Sequence, residues 1–377
     1  MDPTIHLLRD LVAIDSVNPS LVPGGAGEQQ MAEAYAADLR SAGLDVELVE
    51  VASGRPNVVG VLQGREPGRT LLLCGHLDTV GVEGMEAPFT PIERDGRLYG
   101  RGAQDMKGGL AAIAGAARAV ASSGRFTRGR LVVAGVIDEE YASVGADALV
   151  ADWHADAAVV TEPTGLQLAV AHKGFVWIEA ETQGRAAHGS RPEDGRDAIM
   201  RMGRVIAALE QLNGELRARS PHPLVGTASL HASMIDGGRE WSSYPDTCRL
   251  RLERRTVSGE TADTALAEVT STLEALREAD AEFEGHARMV FARPSYEIDR
   301  RAEIVQALIA AAHGTGLGLT PEGVSFWTDA AILGGAGIPS VVFGPGGAGL
   351  HGTCEHVVIS DVLICRDVLV RLAEQFC

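Results

Sequence analysis

The chain has 377 residues, 45% of them hydrophobic and 22% charged, with a formal net charge of −18. That length accommodates two domains with sizeable cores, while the negative charge leaves no basic face to neutralise phosphates and excludes a nucleic-acid or anionic-membrane partner. No segment reaches the roughly 18–20 uninterrupted apolar residues of a membrane span. The five cysteines are scattered without CxxC spacing, which excludes a disulfide framework and a thiolate zinc site. A reducing cytoplasm fits best, and any metal must be held by His and carboxylates.

In chain order, the opening MDPTIHLLRDLVAID carries Asp2, Arg9, Asp10 and Asp15 and reads as an amphipathic helix rather than a signal peptide. Helical patterns with Gly at their ends follow at Glu28–Ala42 and Lys107–Ala121. Apolar β-rich runs at Asn57–Val61, Thr70–Cys74, Leu131–Ile137 and Ala157–Val160 lack clean alternation, as expected of strands covered on both faces by helices. Residues 1–173 therefore read as the first part of a layered α/β domain.

The pattern then changes. Phe175–Thr182 alternates apolar and polar residues, as a half-exposed strand does. A helix is expected over Arg196–Arg217, strands at Ala228–Ile235 and Cys248–Glu253, a helix over Thr261–Ala279 and a strand at Ala287–Ala292. This β-α-β-β-α-β order predicts a ferredoxin-like module over residues 174–292. The α/β character returns over residues 293–377, with a helix at Ala302–His313, a strand at Ser340–Phe343 and a helix near Asp361–Gln375. The small module is thus inserted into the larger domain.

The residues with chemistry cluster at strand ends. In Leu71-Leu-Leu-Cys-Gly-His-Leu-Asp-Thr79, the two-residue spacing of His76 and Asp78 points both side chains to one side of an extended chain. Asp78 can then accept the second imidazole N–H of a metal-bound His76; the alternative is a turn with an incidental His. Gly100-Arg-Gly-Ala-Gln-Asp-Met-Lys-Gly-Gly109 sets Asp105 near a helix start, where it serves either as a cap or as a ligand. The GxxxxGK[ST] pattern of a phosphate loop is absent. Asp138-Glu139-Glu140 ends an apolar strand, and consecutive acids there repel one another unless cations are present; one glutamate can ligate while its neighbour handles protons. Val159-Val-Thr-Glu162-Pro163 is a second acidic strand end, and Phe343-Gly-Pro-Gly-Gly-Ala-Gly-Leu-His-Gly352 brings His351 into a glycine-rich loop. His6, His154, His222, His231, His286 and His313 have no acidic company and read as surface or core residues. His172 and His356 are ambiguous.

Taken in order, GHLDTV, GRGAQDMKGG, DEE, TEPT, the lid segment AHGSRPEDGRDAI and the late His351 resemble the dinuclear zinc hydrolase family of acetylornithine deacetylase, succinyl-diaminopimelate desuccinylase, aminoacylase and glutamate carboxypeptidase. The resemblance spans nearly the whole chain. It implies a layered catalytic domain with an inserted ferredoxin-like lid that also dimerises. It implies two Zn2+ ions, with Co2+ or Mn2+ as tolerated substitutes: Glu140 and His351 on one, His76 and Glu162 on the other, and Asp105 bridging. Asp78 then orients His76, and Glu139 is the general base that deprotonates the attacking water and passes the proton to the leaving amine. His188 resembles the lid histidine that reaches across a homodimer to the partner's site and donates to the oxyanion. Arg255 resembles the arginine that binds the substrate carboxylate, a task suited to its bidentate fork, although Arg254 stands beside it. Asp329 lies in a TDA segment near the substrate. The chain departs from the family at Gly237-Gly-Arg-Glu-Trp-Ser-Ser-Tyr-Pro245, where Ser242 replaces a customary Asn. The expected activity is hydrolysis of the amide of an N-acyl amino acid or a similar carboxylate-bearing small molecule. A di- or tripeptidase, or carboxypeptidase, on the same scaffold is the nearest rival, and a catalytically silent binding protein the more distant one.

Overall fold

The apolar runs of the first half become the centre of one mixed sheet. The computed structural model describes residues 2–377. Across that sheet the strands lie in the order Asp45–Ala52, Arg55–Gln63, Arg128–Val136, Glu66–His76, Ala157–Val160, Ser340–Val342 and Leu168–His172. The Glu66–His76 strand is parallel to both Arg128–Val136 and Ala157–Val160, and Ser340–Val342 is parallel to Ala157–Val160; the outer pairings are antiparallel. The central strands are buried along their length, Leu71–His76 and Leu131–Val136 without an exposed position, which explains their unbroken apolar composition. The helices Pro3–Val12, Gly108–Ser123 and Ile359–Phe376 pack together, as do Val144–Asp152 and Ala330–Gly335.

Register fixes what the strand ends present. His76 pairs with Val136, and Cys74 with Val160. His76, the Asp138–Glu140 run and Glu162 therefore leave the sheet at the same carboxyl edge, where open α/β sheets place their ligands. A separate antiparallel sheet runs Gly347–Ala348, His356–Val358, Arg97–Tyr99, Ile92–Arg94. Its strands are two or three residues long and carry no periodic signal, yet they tie the His351 loop to the segment that leads into Asp105. The edge strand Asp45–Ala52 and the helices Val144–Asp152 and Ala330–Gly335 are likewise absent from the apolar runs.

The chain divides into two units. One comprises the residues up to Val170, Ile298–Gly323 and Thr328–Cys377; the other comprises Ala171–Glu297 and Val324–Trp327. The second unit contains, in order, the strand Gly174–Gln183, the helix Ala198–Ala218, the strands Ser229–Gly237 and Thr247–Thr256, the helix Ala262–Ala279 and the strand Glu284–Arg293. Its four strands form an antiparallel sheet. Val176, Ile178 and Ala180 alternate into a core with Leu250, Leu252, Val205, Leu209, Val269 and Phe283, as the period-2 pattern requires. Asp197 and Thr261 cap the two helices by accepting the N–H of Met200 and Thr264. Among the described residues, no helix is long and apolar enough to cross a membrane, and the five cysteines are free.

Candidate metal centre

The side chains of His76, Glu140, Glu162 and His351, from four distant segments, gather with Asp105. Its Oδ1 lies 3.0 Å from His76 Nε2, and its Oδ2 lies 3.4 Å from His351 Nε2. His351 Nε2 also lies 3.3 Å from Glu140 Oε2, and His76 Nε2 lies 3.9 Å from Glu162 Oε1. Two overlapping groups have ligand atoms close enough for one ion each: His76, Asp105 and Glu140, and His76, Glu139 and Glu162. Glycine permits this convergence where backbone must approach backbone. A Cβ on Gly109 would stand 2.3 Å from the carbonyl oxygen of Thr161, so a side chain there would push the helix that follows Asp105 away from the Glu162 strand end.

Glu162 is buried and Asp105, Glu139 and Glu140 are partly buried, and their electrostatics call for a cation. Burial, reinforced by the charge of Glu162, pushes the Glu139 carboxyl well above its usual range. Glu162 is pushed up by burial with Asp105 and Asp329 adding to it, and Glu140 rises to about 7 through burial and the charge of Asp105. Hydrogen bonds to Asp105 and Glu140 hold the His351 imidazole up at about 10. Among the described residues, Glu140 Oε1 and Glu162 Oε1 are buried with no hydrogen-bond partner. Buried acceptors left without donors are costly, and an arrangement of two imidazoles and three or four carboxylates around such atoms fits divalent ions with N/O ligands.

Asp78 acts differently from the simplest reading of its spacing. His76 Nδ1 lies 2.9 Å from the Asp78 backbone carbonyl and 3.6 Å from its carboxylate. The carbonyl is the closer acceptor and fixes the ring. The carboxylate instead accepts the main-chain N–H of Glu139 at 3.1 Å and of Glu140 at 3.2 Å. The run of three acids is also relieved internally, because Asp138 pairs with Arg55 at 2.9 Å.

Several residues that hold the centre carry no motif of their own. Glu355, 1% exposed, accepts Arg101 Nη1 at 2.6 Å and the main-chain donors Gly102, Gln104 and Asp105 at 3.0, 2.9 and 3.1 Å. Its only signal in the sequence is an acid four residues beyond His351. Lys107 is fully buried, donates to the Ile14 carbonyl at 2.7 Å, and is pushed down to about 7 by burial. His356 packs against Tyr99, the two rings tilted with centroids 4.9 Å apart. His172 is buried in the second unit against Tyr296 and Trp327.

Asp329 is buried at the start of the Ala330–Gly335 helix, and its charge acts on Glu139 and Glu162. His188, Ser242 and Arg255 belong to the second unit. There His188 is exposed, its Nδ1 2.8 Å from Ser190 Oγ, and it bridges to Ser243, beside Ser242. Strand alternation separates the two arginines: Arg254 is fully buried with Glu260 and Glu268, whereas Arg255 is partly exposed, bonded to Glu253 and lying over the Phe175 ring.

A carboxyl-edge cluster of imidazoles and carboxylates, with an oxygen each of Glu140 and Glu162 left without a hydrogen-bond partner, is the donor set of a divalent-metal-dependent hydrolase. The sequence profile of peptidase family M20/M25/M40 matches residues 72–375, and the chain belongs to that family. Its sequence is 32% identical to an acetylornithine deacetylase of Myxococcus xanthus, with 90% of each chain covered. It is 28% identical to an N-formyl-4-amino-5-aminomethyl-2-methylpyrimidine deformylase of Bacillus subtilis, covering 90% of this chain and 87% of that one. In fold it is similar to an M20 family metallo-carboxypeptidase of Sulfolobus solfataricus, with a TM-score of 0.81 at 17% identity over 100% and 99% of the two chains. The protein is a metal-dependent amide hydrolase.

Proposed function

We propose that this enzyme removes the acyl group from an N-acyl amino acid or a related small amide bearing a carboxylate, using two zinc ions. The observation that carries this reading is the pairing of Asp105 with both His76 and His351, beside orphaned carboxylate oxygens of Glu140 and Glu162. His351 and Glu140 would hold one ion, His76 and Glu162 the other, and Asp105 both. Bound there, two such ions would supply Lewis acidity toward an amide carbonyl and an attacking water. Glu139, partly buried beside Glu162, would as its carboxylate take the proton of that water and return it to the departing amine. A neighbouring residue serves as ligand so that Glu139 stays free to do this.

The second unit, by its element order a ferredoxin-like lid, would supply the remaining groups. Arg255, partly exposed where Arg254 is buried, would suit the substrate carboxylate. His188 would donate to the developing oxyanion, and Ser242 and Asp329 would contact the substrate. The lid also has an exposed apolar surface: Met200 is 71% exposed, Met234 56%, Ile235 55% and Trp241 fully so. Met234 and Ile235 lie on an edge strand, whose unpaired main-chain groups invite another strand. A homodimer formed through the lid would cover both. Free thiols fit a cytoplasmic setting.

The test is a panel of N-acyl amino acids, formamides and short peptides, assayed before and after exhaustive chelation. Turnover of an N-acyl amino acid that is lost on chelation and restored by zinc is expected. Activity that survives complete metal removal would overturn the mechanism, and turnover confined to substrates with a free α-amine would replace deacylation with peptidase action.

A further inference from the structure

Asp78 and Asp138 flank the base-and-ligand pair Glu139 and Glu140, and both are held from outside by residues remote in sequence. Asp138 has a left-handed backbone, φ +70°, an uncommon conformation for a residue with a side chain. That turn ends the run of the strand and sends the next two residues into the cluster. The Asp138 carboxylate is fixed on one oxygen by two donors, Arg55 Nη2 at 2.9 Å and Asn18 Nδ2 at 3.1 Å. The same Asn18 nitrogen donates to Asp78 Oδ2 at 2.8 Å, and Asp78 receives the main-chain N–H groups of Glu139 and Glu140.

Asn18 and Arg55 are themselves locked. The Asn18 side-chain carbonyl accepts Ser20 N at 2.8 Å and Arg55 Nη2 at 3.2 Å, so its amide nitrogen must face the two acids. Arg55 is gripped at two points by the fully buried Glu28, Nε to Oε2 at 2.7 Å and Nη2 to Oε1 at 2.5 Å. Residues 18, 28, 55, 78 and 138 thus form one buried polar network in which the donors are matched to acceptors, the condition under which such networks confer rigidity.

We propose that Asn18 and Arg55 are positioning residues for the hydrolysis: acting through Asp138 and Asp78, they set where Glu139 and Glu140 stand. The inference rests on the assignment of Glu139 as base and Glu140 as metal ligand. Because one turn carries both, displacement of that turn impairs proton transfer and metal retention together. Groups that bind the ground-state substrate lie on other segments and are untouched.

The variants Arg55→Met, Arg55→Lys and Asn18→Ala, each loaded with zinc, test this. The readouts are kcat and KM on the best amide of the panel, zinc affinity by chelator competition, and the folded fraction by circular dichroism. Arg55→Met and Asn18→Ala are expected to lower kcat and zinc affinity each by about 10–100-fold, with KM within about threefold. Arg55→Lys falls between them and the parent, since an ammonium keeps the charge but cannot span Glu28 and Asp138 at once. The double variant Asn18→Ala/Arg55→Met is expected to lose less than the product of the two single losses, because both residues hold the same Asp138 oxygen. Folded variants with kcat and zinc affinity within twofold of the parent overturn the inference, as does a rise in KM at constant kcat, or a loss no larger than the unfolded fraction. Should Arg55→Met fail to fold, Arg55→Lys and Asn18→Ala decide alone. If the parent hydrolyses no amide, the proposed reaction falls, and the zinc affinities of the variants still judge the positioning.

Discussion

Replacing Glu355 removes a side chain that closes the Gly100–Asp105 turn. Its carboxylate receives four donors, one from Arg101 and three from the main chain at Gly102, Gln104 and Asp105. Arg101 is only 2% exposed, and its remaining bonds go to the carbonyls of Gly81 and Gly352. Glu355→Ala therefore leaves a buried guanidinium without a counter-charge, a change that typically costs about 3–5 kcal/mol, and it strands three N–H groups besides. Water entering the cavity supplies some acceptors, so the lower half of that range is expected. Glu355→Gln keeps one oxygen but turns an NH2 toward donors, for a loss of about 2–3 kcal/mol. Asp105 N–H is among the stranded donors, and the Asp105 side chain lies between the two imidazoles, so metal content is expected to fall in parallel. Denaturant unfolding of the metal-loaded protein and metal analysis after gel filtration measure both effects. An alanine variant destabilised by no more than about 0.5 kcal/mol, the size of an ordinary surface change, and carrying its full metal complement would refute the reasoning.

Three other outcomes follow from the same geometry. Glu139→Gln is expected to lower kcat by at least about 10²-fold with metal content unchanged; if the metal is lost instead, the roles of Glu139 and Glu140 must be exchanged. His172 is buried and its imidazole is pushed down to about 4 by burial, from an ordinary 6.5. The unfolded chain then takes up the proton first as pH falls, so stability drops between pH 6.5 and 4 and changes no further below that. At about 1.4 kcal/mol per unit the contribution is roughly 3 kcal/mol at most, and His172→Phe is expected to flatten that part of the stability profile relative to the parent; an unchanged slope would show the imidazole to be accessible. For the proposed dimer, Met200→Asp with Ile235→Asp is expected to shift sedimentation to the monomer without unfolding the lid, and a parent that already sediments as a monomer would remove that part of the proposal.

Local pattern alone determined much of this protein. Unbroken apolar runs required strands buried on both faces, period-2 alternation over Phe175–Thr182 required a half-exposed sheet, and Gly-bounded 3.6-residue periods set the principal helices. Since polar residues seldom end a buried strand without purpose, His76, Glu139, Glu140 and Glu162 stood out before any contact was known. Tertiary structure decided which of these groups meet. Strand register aligned His76 with Val136 and brought three strand ends to one edge; a sheet of two- and three-residue strands, too short for any periodic signal, delivered His351. The hold of the Asp78 carboxylate on the Glu139 main chain, the pairing of Asp138 with Arg55, and the closure of the Asp105 turn by Glu355 join residues 61 to 250 positions apart. The physical reason is the range of the forces: periodicity records how each segment meets the core as a whole, whereas a hydrogen bond between distant segments depends on where packing has carried both ends.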